Sequence, residues 1–235
     1  MKLKDLLTIV IPCKDENENI KNILSDINNQ NESSGLNVIV ADASEDYTTQ
    51  HYIWSETGKT ANIKVIEGGY PAKARYNGAN LTNTQYILFL DADMRIQNKN
   101  FLLEILNEII EKDSDLLTCK VRTYDNRFNY VYKFFDVVQK LHIITGPFAL
   151  GGIMLFKKTS YDKVGGFNPN DLFAEDYNLS RKINSNKFLI SKQTIFTSSR
   201  RIEKKGISYM LSMLVKSYFN RNNRKFFEKH HNYWL

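Results

Sequence analysis

The chain has 235 residues, of which 42% are hydrophobic and 25% are charged. This composition is ordinary for a globular protein and excludes disordered and collagen-like chains. No apolar run approaches the roughly 18 residues that a membrane-spanning helix needs. Cys13 and Cys119 are too far apart in sequence for a metal-binding pair or a disulfide framework, which favours a reducing compartment. The apolar residues 6–11 are too few for a signal peptide and lack a cleavage site, so a cytoplasmic location is expected.

The first half of the sequence alternates strand and helix patterns. Continuous apolar, β-branched runs predict buried strands at residues 6–11, 37–41, 63–66, 86–90 and 116–121. Apolar residues at helical spacing predict helices at residues 17–29, 71–81 and 101–110. Strands separated by helices indicate right-handed βαβ units and a mostly parallel sheet.

The second half is less regular. We expect a helix at 130–144, a strand at 150–156, and a helix or helix-bearing loop at 171–183. An i, i+3, i+4 apolar pattern predicts an amphipathic helix at 206–219. These patterns favour one α/β domain over residues 1–200, with a C-terminal helical extension over residues 201–235.

Carboxylates follow three of the predicted strands. Glu16 comes after the first strand, Asp42 after the second, and Asp91 and Asp93 after the fourth. Ligands of open α/β sheets bind beyond the carboxyl ends of the strands, so these side chains are expected to share one site. Crowded carboxylates need a compensating cation, and Asp91 and Asp93 could share a hard divalent ion such as Mg²⁺ or Mn²⁺.

Six segments of the sequence resemble, in order, the family 2 glycosyltransferases of the GT-A fold. The D-x-D segment of that family is similar to "QYILFLDADM". Its first strand and following loop are similar to "LTIVIPCKDENENI", and its second strand to "VIVADASEDYT". The remaining similarities are in "AKARYNGANLTNTQYILFLDAD", "LGGIMLFKKTSYDKVGGFN" and "LFAEDYNLSRKI". The resemblance implies a Rossmann-like GT-A fold, with a mixed, mostly parallel sheet flanked by helices.

The resemblance also implies a binding site for a nucleotide-diphosphate sugar. It implies that Asp91 lies beside the ribose and that Asp93, with Asp91, binds the metal. It also implies that Asp42 binds the nucleobase. The residues that it places beneath the nucleoside or beside the phosphates are Pro12, Glu16 and Arg75. Mn²⁺ or Mg²⁺ would neutralise the charge that develops on the diphosphate leaving group.

On the acceptor side, the resemblance implies that Asp176 is the catalytic base of an inverting transfer. Such a base removes the proton of the acceptor hydroxyl as that hydroxyl attacks the sugar. Glu175, Gly151 and Gly152 would bind or orient the acceptor, which is expected to be a saccharide or a lipid-linked molecule. Arg200 and Arg201 would close over the diphosphate, since guanidinium groups suit phosphate oxygens; a solvated charge run is the alternative.

Two other functions fit part of the sequence. "ILFLDAD" also matches the first motif of haloacid-dehalogenase-type phosphatases, in which Asp91 would be the nucleophile. A nucleic-acid-binding protein could use the basic C-terminus, although no nucleic-acid-binding motif is present and no nucleic acid is expected as a partner. The four histidines show no metal-ligand spacing and are expected to have surface or packing roles.

The basic character of the protein is concentrated at its C-terminus. Residues 200–235 carry nine Lys or Arg and two Glu, whereas the preceding 199 residues carry 23 basic and 24 acidic side chains. The helix at 206–219 has an apolar stripe of Ile207, Met210, Leu211, Leu214, Val215 and Tyr218, and Tyr233 and Trp234 follow it. This segment could dock on an anionic membrane, pack on the domain or self-associate. The first alternative would suit a peripheral enzyme of cell-surface glycan or glycolipid synthesis.

Overall fold

A computed structural model describes residues 2–231 of the chain. Within these residues, seven strands form one sheet: β1 (Leu7–Cys13), β2 (Asn37–Asp42), β3 (Asn62–Glu67), β4 (Tyr86–Leu90), β5 (Leu116–Thr123), β6 (Ile153–Lys157) and β7 (Phe188–Thr197). The helices before β5 are α1 (Leu3–Leu6), α2 (Asn17–Asn28), α3 (Thr48–Glu56), α4 (Pro71–Asn80) and α5 (Phe101–Glu111). The later helices are α6 (Asn129–Lys140), α7 (His142–Thr145), α8 (Lys158–Lys163), α9 (Glu175–Ser180), α10 (Arg200–Lys205), α11 (Ile207–Phe219) and α12 (Arg224–Phe227).

The sheet is mixed and mostly parallel, as the sequence predicts. Its strand order is β3-β2-β1-β4-β6-β5-β7. β1, β2, β3 and β4 run parallel to one another, and β6 is antiparallel to both of its neighbours, β4 and β5. The carboxyl ends of β1, β2 and β4 therefore lie side by side at one edge of the sheet.

Both faces of the central strands are covered, which explains their continuous apolar sequences. In β1, Ile9 and Ile11 belong to one core cluster, while Val10 belongs to the cluster on the opposite face. α4 lies very close to β1, because a Cβ built on Gly78 would be only 2.3 Å from a methyl carbon of Val10. This close packing fixes the position of α4, which carries Arg75 into the edge where the strands end.

The structure contains elements that the sequence-based prediction lacks, among them α1, α3, α8, α10, α12 and β7. α3 was not predicted, because its buried residues, Thr49, Ile53 and Glu56, do not form an apolar stripe. Residues 171–183 form a helix-bearing loop, one of the two expected alternatives: α9 begins at Glu175, after a turn in which Asn168 and Asp171 bond to each other's groups. Helix propensity and apolar periodicity do not identify a helix that lacks an apolar stripe, and they do not identify the hydrogen bonds of a turn.

The C-terminal helices pack on the domain. Phe227 is fully buried, and its carbonyl oxygen accepts hydrogen bonds from the backbone N–H groups of Leu172 and Phe173. Ile207, Met210 and Leu214 of the α11 stripe pack against the core, whereas Val215 is exposed. The predicted extension also includes residues 232–235, among them Tyr233 and Trp234, which lie outside the described residues. Between residues 2 and 231, no helix is long and apolar enough to cross a membrane.

Candidate active site

A fully buried arginine connects the parts of the site. Arg75 is 1% exposed, and its Nη1 donates to Glu175 Oε1 at 2.5 Å. Its Nη2 donates to Asp91 Oδ1 at 2.6 Å and to the carbonyl of Gly151 at 3.3 Å. Burial by itself would lower the pKa of Arg75, but Asp91 and Glu175 more than offset this effect and raise it. The guanidinium thus stays charged and holds the end of β4 against the start of α9.

Asp176 follows this ion cluster directly. Ala174, the residue before Glu175, adopts a left-handed conformation (φ 47°, ψ 39°), which costs about 1–3 kcal/mol for a residue with a Cβ. That turn starts α9 so that both carboxylates enter the site. Asp176 Oδ1 accepts from the backbone N–H of Tyr177 at 2.7 Å. Burial, and then the charge of Glu175, raise the pKa of Asp176 to about 7.

Gly151 and Gly152 make room for the neighbouring side chains. A Cβ on Gly151 would lie 2.8 Å from Asp176 Oδ2, and one on Gly152 would lie 1.7 Å from the terminal methyl of Met94. Larger residues here would push Asp176 or Met94 away. The backbone N–H of Asp91 also donates to the carbonyl of Gly152 at 3.1 Å. The two glycines therefore permit a close approach of this loop to the carboxylates.

Asp93 is half-buried at the end of the same loop as Asp91. Burial, followed by the charge of Asp91, raises the pKa of Asp93 to about 6, although Arg201 opposes this effect. Among the side chains that the structure describes, which exclude those of residues 142 and 143, no three of His, Cys, Asp or Glu form a group that could hold a metal ion. A metal at Asp91 and Asp93 would therefore need further ligands from water or from a bound molecule.

A large cleft opens beyond the ends of β1, β2 and β4. We call it the strand-end cleft; its volume is about 840 Å³. Its acidic lining residues are Asp15, Glu16, Asp91 and Asp93. Its basic lining residues are Lys14, Lys73, Arg75, Arg200, Arg201, Lys204 and Lys205. The excess of cationic side chains makes this cleft suited to an anionic ligand.

The C-terminal segment closes one side of the strand-end cleft. Arg200 Nη2 donates to Glu16 Oε1 at 3.0 Å, which joins the start of α10 to the loop after β1. His230 also lines the cleft, and its Nε2 lies 2.7 Å from the hydroxyl oxygen of Tyr70. The expectation of a plain surface or packing role for His230 is therefore incomplete.

A second, smaller cavity of about 120 Å³ lies beside the first, and we call it the inner cavity. Apolar side chains form most of its wall: Phe135, Phe148, Leu150, Phe173, Met210, Met213 and Leu214. Its polar end is formed by Glu175 and Asp176. Arg75, Asp91 and Arg201 line both cavities, so the two cavities meet at these charged groups.

Most of the predicted site residues come together in this way. Pro12 and Glu16 line the strand-end cleft with the carboxylates of β4, and Gly151 and Gly152 line the inner cavity. Asp42 is buried and lines neither cavity, although the next residue, Ala43, lines the strand-end cleft; Asp42 Oδ1 accepts a hydrogen bond from the Ser44 hydroxyl. Its Oδ2 has no hydrogen-bond partner among residues 2–231.

Sequence reasoning missed two groups of lining residues. Lys204 and Lys205 were counted only as part of a basic segment, yet they face the strand-end cleft. Phe135 and Met213 give the inner cavity its apolar character, but apolar helix residues predict only a core. Their position in the cavity wall is evident only from the fold, which brings α6 and α11 together at the same cavity.

One known protein family matches this chain over most of its length. The family model of glycosyl transferase family 2 matches residues 8–165, about two thirds of the sequence. The chain belongs to glycosyl transferase family 2. This membership confirms the predicted resemblance and counts against the phosphatase alternative, which rested on residues 87–93 alone. No curated protein sequence matches the chain.

Solved structures of low sequence identity share the fold. A mannosyltransferase from Pyrobaculum calidifontis, solved with GDP-Man and Mn²⁺, has a TM-score of 0.72 at 18% identity, over 92% of this chain and 64% of that one. S. aureus TarS with UDP-GlcNAc has a TM-score of 0.64 at 20% identity, over 82% of this chain and 58% of that one.

A third similar structure is glucosyl-3-phosphoglycerate synthase from Mycobacterium tuberculosis, solved with Mn²⁺, UDP-Glc and phosphoglyceric acid. Its TM-score is 0.60 at 14% identity, over 92% of this chain and 80% of that one. The GT-A fold predicted from the sequence is thereby confirmed. This chain spans less than two thirds of the lengths of the mannosyltransferase and TarS chains.

The buried ion cluster predicts a large stability effect for Arg75→Ala. Removing the guanidinium leaves Glu175 and Asp91 without a cation in a buried site, so unfolding free energy should fall by about 3–5 kcal/mol. Denaturant titration at pH 7.5 measures this change. Arg224→Ala is the control, because its ion pair with Glu228 is exposed and should contribute little to stability. A similar small loss in both variants would show that the cluster does not join β4 to α9.

Proposed function

We propose that the protein is an inverting glycosyltransferase that moves a sugar from a nucleotide-diphosphate sugar to an acceptor hydroxyl. One observation carries the proposal: Arg75, Asp91 and Arg201 line both the strand-end cleft and the inner cavity. A donor in the cleft and an acceptor in the cavity would thus meet at one charged centre. Membership of glycosyl transferase family 2 supports the same chemistry.

The strand-end cleft suits the donor. At about 840 Å³ it is large enough for a nucleotide sugar, and the ligand sites of proteins are typically about 300–1,000 Å³. Pro12 and Glu16 would lie against the nucleoside. Asp42 does not line the cleft and its Oδ2 is buried, so it would reach the base only if the loop after β2 moved. Arg200 and Arg201 would contact the diphosphate, because planar guanidinium groups match phosphate oxygens.

A divalent cation, Mn²⁺ or Mg²⁺, is part of the proposal, and the residues present fit it. Asp91 and Asp93 supply two carboxylates, the ligand type that both ions prefer. Burial, and then the charge of Asp91, raise the pKa of Asp93, and a bound cation would offset both effects. When bound, the ion would neutralise the leaving diphosphate. Several of the similar structures contain Mn²⁺ or Mg²⁺.

Asp176 would act as the base. Its carboxylate lies at the polar end of the inner cavity, where an acceptor hydroxyl would approach the sugar. A carboxylate whose pKa is near 7 is both ionised at neutral pH and basic enough to accept a proton. Glu175 is held by Arg75, so it could orient the acceptor while Asp176 accepts the proton. With one base and no carboxylate nucleophile assigned, the sugar is transferred in one displacement with inversion.

The acceptor would enter the inner cavity with an apolar part against Phe148, Phe173 and Met210. Aromatic rings bind the apolar faces of sugars, and a lipid-linked acceptor would also suit such a wall. The basic C-terminal segment could hold the enzyme at an anionic membrane surface. Together these features support a role in cell-surface glycan or glycolipid synthesis on the cytoplasmic side of the membrane.

The reaction is tested by incubating the protein and Mn²⁺ with GDP-, UDP- and dTDP-sugars and simple glycoside acceptors. We expect one donor to give a glycoside whose anomeric configuration is opposite to that of the donor. The anomeric proton coupling constant in the NMR spectrum measures this configuration. Retention of configuration would rule out the single-displacement mechanism, and no transfer from any donor would count against the proposed activity.

The role of Asp176 predicts a pH-dependent loss. Asp176→Asn removes the base, so transfer should fall by about 10²-fold or more while donor affinity, measured by calorimetry, is retained. In the unsubstituted enzyme kcat should rise with pH through about 7, as Asp176 loses its proton. Near-normal turnover in the variant would show that another group is the base.

The raised pKa of Asp176 also predicts an effect on thermal stability. The folded state binds the Asp176 proton more tightly than the unfolded state, so the stability associated with this group is lost as pH rises from about 4 to 7. At pH 8, Asp176→Asn should therefore raise Tm by about 2 °C or more. A lower Tm would indicate that ionised Asp176 stabilises the fold.

The metal site predicts the behaviour of Asp93→Asn. The variant should bind a nucleoside diphosphate with the same affinity with and without Mn²⁺, whereas Mn²⁺ should strengthen binding to the unsubstituted protein. Isothermal titration calorimetry measures both affinities. Asp162→Asn is a matched control, because Asp162 is paired with Lys158 at the protein surface. A retained Mn²⁺ effect in Asp93→Asn would contradict this assignment.

A further inference from the structure

Helix α6 has apolar residues on both its inner and its outer sides. On the inner side, Val131 and Phe135 are buried in the core. On the outer side, five large apolar residues of α6, its C-terminal end and α7 have exposed fractions from 47% to 82%. We call them the outer stripe: Tyr130, Phe134, Val137, Leu141 and Ile144. A helix on the surface of a globular protein normally presents polar residues outward.

The outer stripe runs along α6 and on to α7. Tyr130, Phe134 and Val137 are spaced by four and three residues within α6, the spacing that places side chains on one line. Leu141, the C-cap of α6, and Ile144 of α7 follow at the same spacing. Lys133 and Lys140 lie four residues before and three residues after Val137, and both are exposed. Long basic side chains beside an apolar stripe can reach from a lipid interface towards the headgroups. This pattern is typical of a helix that lies in a membrane interface.

The outer stripe belongs to a helix that also forms the inner cavity. Phe135 of α6 lines that cavity together with Met210 and Leu214 of α11. α11 in turn exposes Val215 and Phe219. Both helices that line the inner cavity, α6 and α11, thus carry exposed apolar residues. α11 belongs to the C-terminal segment, whose net charge is positive.

We propose that the outer stripe inserts into the interface of an anionic lipid membrane. Membrane insertion itself does not depend on the proposed function. Its consequence does: a lipid-linked acceptor would be presented beside the inner cavity only if the protein is a glycosyltransferase. The proposal also assigns the membrane contact mainly to α6, because Ile207, Met210 and Leu214 of the α11 stripe are used in packing. Negative headgroups would be complementary to Lys133, to Lys140 and to the basic C-terminus.

A second copy of the chain is a less suitable occupant. A stable protein interface usually needs about 20–30 residues from each partner, whereas the outer stripe has five. Two copies would also bring together chains that each carry a net charge of +6. Shallow insertion into lipid needs only one apolar helix side, which α6 provides.

Vesicle flotation tests the proposal. The full chain should float with phosphatidylcholine vesicles that contain phosphatidylglycerol, and binding should weaken when phosphatidylglycerol is omitted or salt is added. Phe134→Ser with Val137→Ser should reduce the bound fraction about tenfold, because two large apolar side chains are lost from the stripe. Equal flotation of this variant and the unsubstituted protein would overturn the proposal, as would no flotation at all.

A matched control is available on the opposite part of the sheet. Tyr47→Ser with Trp54→Ser removes two exposed aromatic residues near and within α3, which packs against α2 rather than against α6. This variant should bind vesicles as the unsubstituted protein does. Thermal unfolding of both double variants verifies that they fold. A similar loss of binding in the control would show that general surface hydrophobicity, and not the outer stripe, drives binding.

Site-specific labelling distinguishes lipid from a second copy. Cys13 and Cys119 are buried and free, so a polarity-sensitive dye should label Val137→Cys selectively. The dye emission should shift to shorter wavelength on addition of anionic vesicles, with no shift for a dye at Tyr47→Cys. A shift that depends on protein concentration without vesicles, with a dimer in analytical ultracentrifugation, would assign the stripe to self-association and overturn the proposal.

The outcome is separable from that of the proposed function. Phe134 and Val137 lie outside both cavities, so donor affinity and transfer to a soluble acceptor should be unchanged in the double variant. Vesicle binding by a protein that transfers no sugar would count against the glycosyltransferase alone. Sugar transfer by a protein that does not bind vesicles would count against the membrane surface alone.

Discussion

The buried guanidinium of Arg75 is the interaction on which the rest of the site depends. It joins a carboxylate at the end of β4, Asp91, to a carboxylate at the start of α9, Glu175. Those residues are far apart in sequence, and each would be costly to bury alone. With the cation between them, the end of β4 and the start of α9 are held in one position. Because Asp176 is next to Glu175 in the sequence, the same ion cluster also fixes the position of Asp176 relative to the strand-end cleft.

The site also keeps negative charge in surroundings that do not favour it. Burial and neighbouring carboxylates raise the pKa of both Asp93 and Asp176. Such groups reduce the stability of the folded chain, since each prefers its protonated form there. The same surroundings would make Asp93 responsive to a cation and Asp176 a stronger base. Function and stability are therefore opposed at these two positions.

The C-terminal segment is part of the site and not only an appendage. Arg200 bonds to Glu16 across the strand-end cleft, and Met210 forms a wall of the inner cavity. Phe227 holds the segment to the domain through its buried ring and its carbonyl oxygen. The division into residues 1–200 and 201–235 is a prediction from composition, whereas the cavities require residues from both parts.

The sequence alone determined six of the seven strands of the described sheet, the fold class, the family resemblance and nearly all of the site carboxylates. These features are local: a buried strand is a run of apolar residues, and Asp91 and Asp93 directly follow one. Only the tertiary structure decided that Arg75 bridges β4 and α9, and that His230 reaches Tyr70. These contacts join residues from about 16 to 160 positions apart. No local pattern of charge or periodicity encodes such pairs, because chain folding alone sets which side chains share a buried space.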